Sequence, residues 1–406
     1  MSINIINKKI FFVILIIFSF FKFFFAFVYG DLFYEMEWSI IVKNLIDDFS
    51  FSFHEIDNQK IPTAYMPPLY AYLMYAIAIL GFSEFVNVKL ILFLQCFFSG
   101  ISIIFFYRIL RKFFNEKSSI IFSLIYFLIP LNFYSATQIS SVSFQISIFI
   151  FFLFYYLNTK TYLDFLKLGI FSSLALLIRG EFWLLLFILI IFKIITNNIH
   201  FKKIIIFLLA IIIIVSPTII RNYLSFNQIV LVKSTGYNLW RGNSDSFNIN
   251  GENLETSEIQ KKRDEIIKTL IEKKNLEKYE IYLDKMYFDI AKKNIFSNIG
   301  KYFFHYINKL FAFSFFNFYS NYPNNFHPLI LFPEVIISTF GILGIIFNIF
   351  SKKINYEFLI ITFYYLALIP IFFILPRYKL FIFPMYIFFS CYFFTFLSNK
   401  IFSKKQ

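Results

Sequence analysis

Three acidic residues stand where an apolar stretch gives way to polar sequence: Asp31 directly follows the stretch, and Glu35 and Glu37 come four and six residues later. Carboxylates this close to hydrocarbon repel one another and share protons, which suits general-base work or a divalent cation. On a helix, Asp31 and Glu35 would share a face at i, i+4. A solvated acidic cluster has the same composition. Three arginines occupy comparable boundaries later on: Arg179 between two apolar runs, Arg221 at the end of another, and Arg377 after Pro376. A guanidinium near a membrane surface offers a bidentate hold on phosphate or carboxylate. Its plainer uses are snorkelling to headgroups or, for Arg179, pairing with Glu181.

Two aromatic stretches complete the set. In PTAYMPPLY, Pro67 and Pro68 form a rigid turn flanked by Tyr65 and Tyr70, and Pro68 suits a helix N-terminus, where its missing N–H costs nothing. In STGYNLWRGN, Tyr237, Asn238, Trp240 and Asn243 have the composition of a loop that stacks on and hydrogen-bonds a sugar ring, or of an ordinary interfacial loop. Tyr65, Pro67, Pro68, Tyr70, Tyr237, Asn238, Trp240 and Asn243 are the substrate-binding candidates.

The elements that must position these residues follow from composition. With 59% hydrophobic and 23% aromatic residues in 406, the chain is an integral membrane protein rather than two or three soluble domains. The expected fold is all-α and polytopic, with about ten spans near 10–28, 86–107, 119–136, 139–157, 165–178, 182–196, 204–220, 326–350, 354–375 and 378–399. Leu69 to Phe82 is too short to cross and reads as an interfacial or re-entrant helix in the first outer loop, 29–85. The net charge of +14 would raise nucleic-acid binding in a soluble protein. On this topology it falls instead on loops of one side, at Arg108/Arg111/Lys112/Lys117, Lys160/Lys167, His200/Lys202/Lys203, Lys352/Lys353 and Lys400/Lys404/Lys405. The positive-inside rule makes that side, with both termini, cytoplasmic. Lys22, inside the first span, would snorkel outward or pair with Asp31. Cys96 and Cys391 lie in apolar runs and read as small buried hydrophobes.

Ser257 to Lys293 mixes both charge signs at helical spacing and reads as a solvated helix covering something else. The organisation expected is a catalytic membrane module over 1–220, an outer helical segment over 221–327 and the last membrane helices over 328–406.

Taken in order, these features resemble the polytopic lipid-phosphate-sugar glycosyltransferases of the GT-C class. The match is to bacterial family 39-like enzymes related to protein mannosyltransferases and the aminoarabinose transferase of lipid A. The carriers are Asp31 after the first span, PTAYMPPLY, Leu177-Ile178-Arg179, Ser216-Pro217-Thr218-Ile219-Ile220-Arg221-Asn222-Tyr223, STGYNLWRGN, and Arg377-Tyr378-Lys379-Leu380 with Pro384. The resemblance implies a bacterial inner-membrane enzyme with a periplasmic site. It would move a sugar from a polyprenyl-phosphate donor to an acceptor glycan, lipid or protein, with no nucleic-acid partner. Asp31 would be the catalytic carboxylate, and Arg179, Arg221 and Arg377 would hold the donor phosphate. The chain departs from the family in having Leu32 beside Asp31 and no carboxylate over Gln138 to Ser143. A second acid must then come from Glu35, Glu37 or Glu181, and a divalent metal stays open as cofactor. The competing readings are an O-antigen polymerase or ligase, with His305 and His327 as candidates, and a lipid-linked sugar flippase or transporter. The scarcity of Gly and Pro, 11 each, and the absence of a repeat speak against the transporter.

Overall fold

A backbone in an apolar medium must satisfy its own hydrogen bonds, and the long Ile, Leu and Phe runs do so as helices. A computed structural model describes residues 2–197, 199–251, 256–318, 320, 324–351 and 354–403. Lys352, Lys353, Lys404 and Lys405, expected in cytoplasmic loops, lie outside the described residues. The first helix, α1 (Ser2–Tyr29), is followed by α2 (Met36–Asp48), a hairpin of β1 (Ser52–Ile56) and β2 (Gln59–Pro62), and α3 (Pro68–Ala78). Then come α4 (Glu84–Arg111), α5 (Glu116–Leu128), α6 (Pro130–Thr137), α7 (Val142–Asn158), α8 (Tyr162–Ile178), α9 (Phe182–Asn197) and α10 (Phe201–Phe226). The long segment that follows folds as α11 (Thr235–Gly242), α12 (Ser257–Glu272), α13 (Tyr279–Ser297) and α14 (Ile299–Ser314), and the chain ends in α15 (Pro328–Ile349), α16 (Tyr356–Leu368) and α17 (Phe383–Ser403).

Each of the ten expected spans is helical, but the count of full-length crossings is smaller. Among the described residues four helices are long and apolar enough to cross a membrane alone: Lys9–Tyr29, Glu84–Arg111, Phe201–Phe226 and Pro328–Ile349. α5 and α6, bent by 47° at their junction, pass the same test only together, as one broken span or a re-entrant loop. Proline causes the break: Ile129, forced out of the helical region by Pro130, has φ −57° and ψ 125°. The remaining apolar helices are shorter, and α7, at 17 residues, spans only about 25 Å at 1.5 Å per residue. Its burial on nearly every side within the bundle lets it be short.

The helices alternate in direction, so the candidate residues gather at one end. Lys112 donates to the Leu157 carbonyl and Lys203 to that of Lys160 at the opposite end. Close packing fixes the bundle where α15 meets α17, since a Cβ on Gly344 would lie 2.0 Å from the Phe389 carbonyl oxygen. Both cysteines are buried.

Two expectations are corrected here. Residues 30–35 are not helical, because α2 begins only at Met36 with Glu35 in an extended cap position, so Asp31 and Glu35 do not stand at i, i+4 on a helix. Lys22 neither snorkels nor pairs with Asp31. It is fully buried and donates to Ser99 Oγ at 2.8 Å and Asn132 Oδ1 at 2.9 Å, between the rings of Phe127 and Phe133. Two polar side chains on neighbouring helices give the ammonium inside the bundle what water would give it outside.

Candidate active site

Asp31 is held mainly by backbone. Its own N–H donates to the Thr137 carbonyl at 3.0 Å, which ties the end of α1 to the end of α6. Its Oδ2 accepts the Ile139 N–H at 2.6 Å. From α4, the Lys89 ammonium donates to the carbonyls of Asp31, at 3.1 Å, and Gly30, at 3.3 Å. Below this loop, Tyr70 donates to Gln95 Oε1 at 3.0 Å, and the Gln95 amide reaches the Gln138 carbonyl at 2.9 Å. The carboxylate is therefore set in place by the α6–α7 turn, and Tyr70 belongs to the floor that supports that turn.

Glu35 and Arg377 complete this cluster. Burial pushes the Glu35 carboxyl above its usual range; the Arg377 guanidinium pulls it down, and Glu37 and Asp31 push it further up. The Tyr70 hydroxyl is raised well above its ordinary value by burial, then by Glu35 and Asp31. Glu35 thus feels two carboxylates and a guanidinium from its surroundings. What brings Arg377 there is a buried ion pair that sequence reading missed. Lys379, two residues on, donates to Glu334 Oε2 of α15 at 2.7 Å and to the Phe315 carbonyl at 3.0 Å, pinning the 3₁₀ turn Pro376–Phe381. Arg377 keeps a buried Nε without a hydrogen-bond partner.

The other two arginines are built in differently. Arg179 pairs with Glu181 at 2.5 Å and lies against the rings of Tyr378 and Phe381, 5.0 and 5.1 Å from their centroids. It lines a cavity of about 550 Å³ with Trp183, Lys233, Asn238 and Tyr378. Arg221 donates through a terminal nitrogen to the Thr63 carbonyl and covers the Phe51 ring at 4.6 Å, leaving its own buried Nε unpartnered.

PTAYMPPLY is clamped at its first half. Besides the Arg221 contact, the Ala64 and Tyr65 N–H groups donate to Glu280 Oε2 at 2.7 and 3.1 Å, and the Ala64 carbonyl accepts the Lys233 N–H at 2.7 Å. Pro68 opens α3 and Pro67 precedes it, as its composition indicates. Tyr65 meets Tyr237 edge to face at 5.6 Å, joining the first loop to α11. Trp240 is buried against Tyr237 and Tyr287, and Asn243 donates to the carbonyls of Leu239 and Ile371 at 2.8 and 2.9 Å. Those two residues hold the long segment together. Asn238 lies in the Arg179 cavity instead.

Glu280 and Asp284, also missed, belong to the charged stretch read as solvated. They stand at i, i+4 on one face of α13 and both are buried. What that helix covers is the first loop and α11. Asp284 Oδ1 accepts the N–H groups of Gly236 and Tyr237 at 2.7 and 3.1 Å, an anion at a helix start. Gly236 permits this approach, since a Cβ there would sit 1.9 Å from the Asp284 carbonyl oxygen. Burial pushes Glu280 up to about 7 against the pull of the Thr63 hydroxyl, the Ala64 and Tyr65 N–H groups and Arg221. The same burial pushes neighbouring His54 down to about 4. The i, i+4 spacing was the signal available for this pair.

The histidines of the polymerase reading are engaged elsewhere: His305 Nε2 lies 3.2 Å from the Gly242 carbonyl, and His327 caps α15. Among the described residues no three His, Cys, Asp or Glu side chains form a group able to hold a metal ion, so Asp31, Glu35 and Glu37 do not make a ligand set.

No protein-family model and no curated protein matches this sequence. Among solved structures the chain is similar to ArnT from Cupriavidus metallidurans bound to undecaprenyl phosphate. The identity is 10% over 94% of this chain and 76% of that one, with a TM-score of 0.41. It is similar also to the apo state of that protein, at 11% identity over 95% of this chain and 76% of that one, with a TM-score of 0.42. At this identity and TM-score the likeness assigns no residue and no role.

Proposed function

We propose that this protein is a membrane glycosyltransferase that moves a sugar from a polyprenyl-phosphate donor to an acceptor at the Asp31 end of the bundle, the periplasmic end if the basic loops are cytoplasmic. The observation that carries the reading is the convergence at that end: a backbone-fixed Asp31, with Glu35 and Arg377 acting on each other beside it. Asp31 takes the proton of the acceptor hydroxyl or amine as that atom attacks the anomeric carbon. Its Oδ2 already holds the Ile139 N–H, so Oδ1 is the atom assigned to the proton. The bond from the anomeric carbon to the phosphate oxygen breaks, and the configuration inverts. The leaving lipid phosphate gains charge as it departs.

The unpartnered Nε groups of Arg377 and Arg221 are donors for that charge, and Arg179 offers its guanidinium from the larger cavity. Glu35, which feels the Arg377 charge, balances that guanidinium when no phosphate is present, and Glu37 stands at the first turn of α2 and lines a cavity with Tyr65. Asn238 in the Arg179 cavity, and Tyr65 and Tyr237 in a neighbouring one, present polar and aromatic surface to the substrates; Pro67, Pro68, Tyr70, Trp240 and Asn243 shape that surface from behind. No step requires a metal.

The test is transfer from a polyprenyl-phosphate sugar in membranes carrying Asp31→Asn. The substitution keeps shape and removes the base, so activity should fall by about 10²- to 10⁴-fold with the protein still folded. Activity near the wild-type level would sink the assignment.

A further inference from the structure

Between the first loop and α13 lies a second cavity of about 280 Å³, whose walls do not include Asp31, Glu35 or Arg377. At that volume it sits at the bottom of the range for small-molecule sites, with room for one ring rather than a chain. Three tyrosines, Tyr65, Tyr237 and Tyr287, supply its aromatic surface. Its charged groups nearly balance: Glu37, Glu280 and Asp284 against Lys233 and Arg263. A strongly charged ligand of either sign gains little net attraction there, whereas a neutral ring with hydroxyls finds donors and acceptors on all sides.

One atom in this wall points to an absent donor. Asp284 is engaged by backbone N–H groups and by Lys233, 3.7 Å away. Glu280 is 3% exposed and its Oε2 is taken by Ala64 and Tyr65, but its Oε1 is buried with no hydrogen-bond partner. The His54 imidazole, neutral because burial lowers it to about 4, has its Nε2 3.8 Å away, beyond hydrogen-bond range. Buried polar atoms are rarely left unmet, and Glu280 is one of the residues that line this cavity.

We propose that this cavity is an acceptor subsite that holds one neutral or weakly charged pyranose ring of a glycan, with a ring hydroxyl donating to Oε1 of Glu280 in its ionised form and the C–H face lying on the tyrosines. The inference rests on the glycosyltransferase reading and narrows it: the acceptor is a glycan, alone or carried on a lipid, rather than an unglycosylated protein. Trp240 provides a built-in reporter, since its ring packs 5.9 Å from Tyr237 and 4.7 Å from Tyr287.

The experiment uses the full-length protein in lipid nanodiscs, titrated with glucose, galactose, mannose, N-acetylglucosamine and galacturonate up to about 100 mM, a range that covers weak single-ring affinities. Tryptophan fluorescence reads binding, with Trp240→Phe as the control for signal origin, and saturation-transfer NMR reads it independently. At least one sugar should bind with a millimolar Kd. Glu280→Gln should weaken it by about tenfold or more, since a donor amide replaces the acceptor, and Leu283→Trp, which fills the cavity, should abolish it. Binding of a polyprenyl phosphate should be unchanged in both variants, which also shows that they are folded. If Glu280→Gln does not fold, Tyr287→Leu removes an aromatic face without touching a buried charge and replaces it.

Absence of binding by every sugar, or binding indifferent to both variants, overturns the subsite. The two proposals fail separately. Sugar binding without Asp31-dependent transfer would sink the proposed function and leave the pocket, while transfer intact in Leu283→Trp would sink the pocket and leave the function.

Discussion

Residues 30–35 and 62–65 belong to the same stretch between α1 and α4, and both carry residues whose types suggest chemistry, yet the two are held in opposite ways. Around Asp31 the protein contributes mostly backbone: the Thr137 carbonyl, the Ile139 N–H, and a Lys89 ammonium spent on carbonyls. The side chains of Asp31, Glu35 and Arg377 are left to act on one another and on whatever enters. Around Thr63 to Tyr65 the roles reverse: the loop contributes its backbone, and Arg221 and Glu280 are the charged side chains that grip it. A charge whose polar atoms are all taken by the fold is a structural fastener, and a charge that keeps an atom unmatched beside other charges is poised for a substrate. By that measure Arg377 leans to the second kind and Arg221 is divided between them, one nitrogen fastened and the Nε not.

The sharpest way to break this division is Arg377→Ala. Removing a guanidinium that stabilises a leaving phosphate should cost about 10²- to 10³-fold in transfer rate with little change in thermal stability. Arg377→Lys should recover part of the rate, because a point charge remains but the fork geometry does not. Transfer rates in liposomes alongside thermal unfolding decide it. A large loss of stability in Arg377→Ala would place this arginine with the fasteners.

Arg221→Ala should divide its effect the other way. The Thr63 carbonyl loses its donor and Glu280 loses a nearby cation, which should destabilise the fold by roughly 2 to 4 kcal/mol. Any loss of transfer should largely follow the loss of folded protein. Arg221→Lys separates the two roles. If it restores stability but not rate, the unpartnered Nε serves the phosphate; if it restores both, Arg221 is a clamp and the comparison is cleaner than the structure alone makes it.

How much of this was legible beforehand depends on what each feature needed. The helices, the cysteines' burial and the interfacial α3 follow from apolar runs and their lengths. The break at Pro130 and the hairpin over 52–62 do not, since neither changes hydrophobicity averaged over a span. Asp31, the three arginines and the aromatic motifs were visible because polar residues at the edges of apolar runs stand out. Glu280 and Asp284 were not, because each sits among other charged residues and only tertiary packing separates buried charges from solvated ones, and the pairing of Lys379 with Glu334, 45 residues away, has no local signal. Lys22 was visible but misassigned: its partners, Ser99 and Asn132, are 77 and 110 residues away, and no local pattern points to them.

The fastened region also has a pH signature. Glu280 is raised from 4.5 to about 7, so the fold favours its protonated form; its contribution to stability is full below 4.5 and is lost as pH rises through about 7. His54 runs the other way: lowered from 6.5 to about 4, it contributes above 6.5 and loses that contribution as pH falls through about 4. Between 6.5 and about pH 8, then, Glu280 acts and His54 does not. Thermal unfolding of the wild type across that window should show stability falling as pH rises, by a modest amount spread over the whole interval. Glu280→Gln, which cannot ionise, should flatten the slope while lowering the overall stability. A slope unchanged by the substitution would mean that the Glu280 carboxylate is as comfortable ionised in the fold as in water. The clamp on Ala64 and Tyr65 would then be an ordinary hydrogen bond to a solvated anion, and the contrast between the two halves of the loop would lose its electrostatic basis.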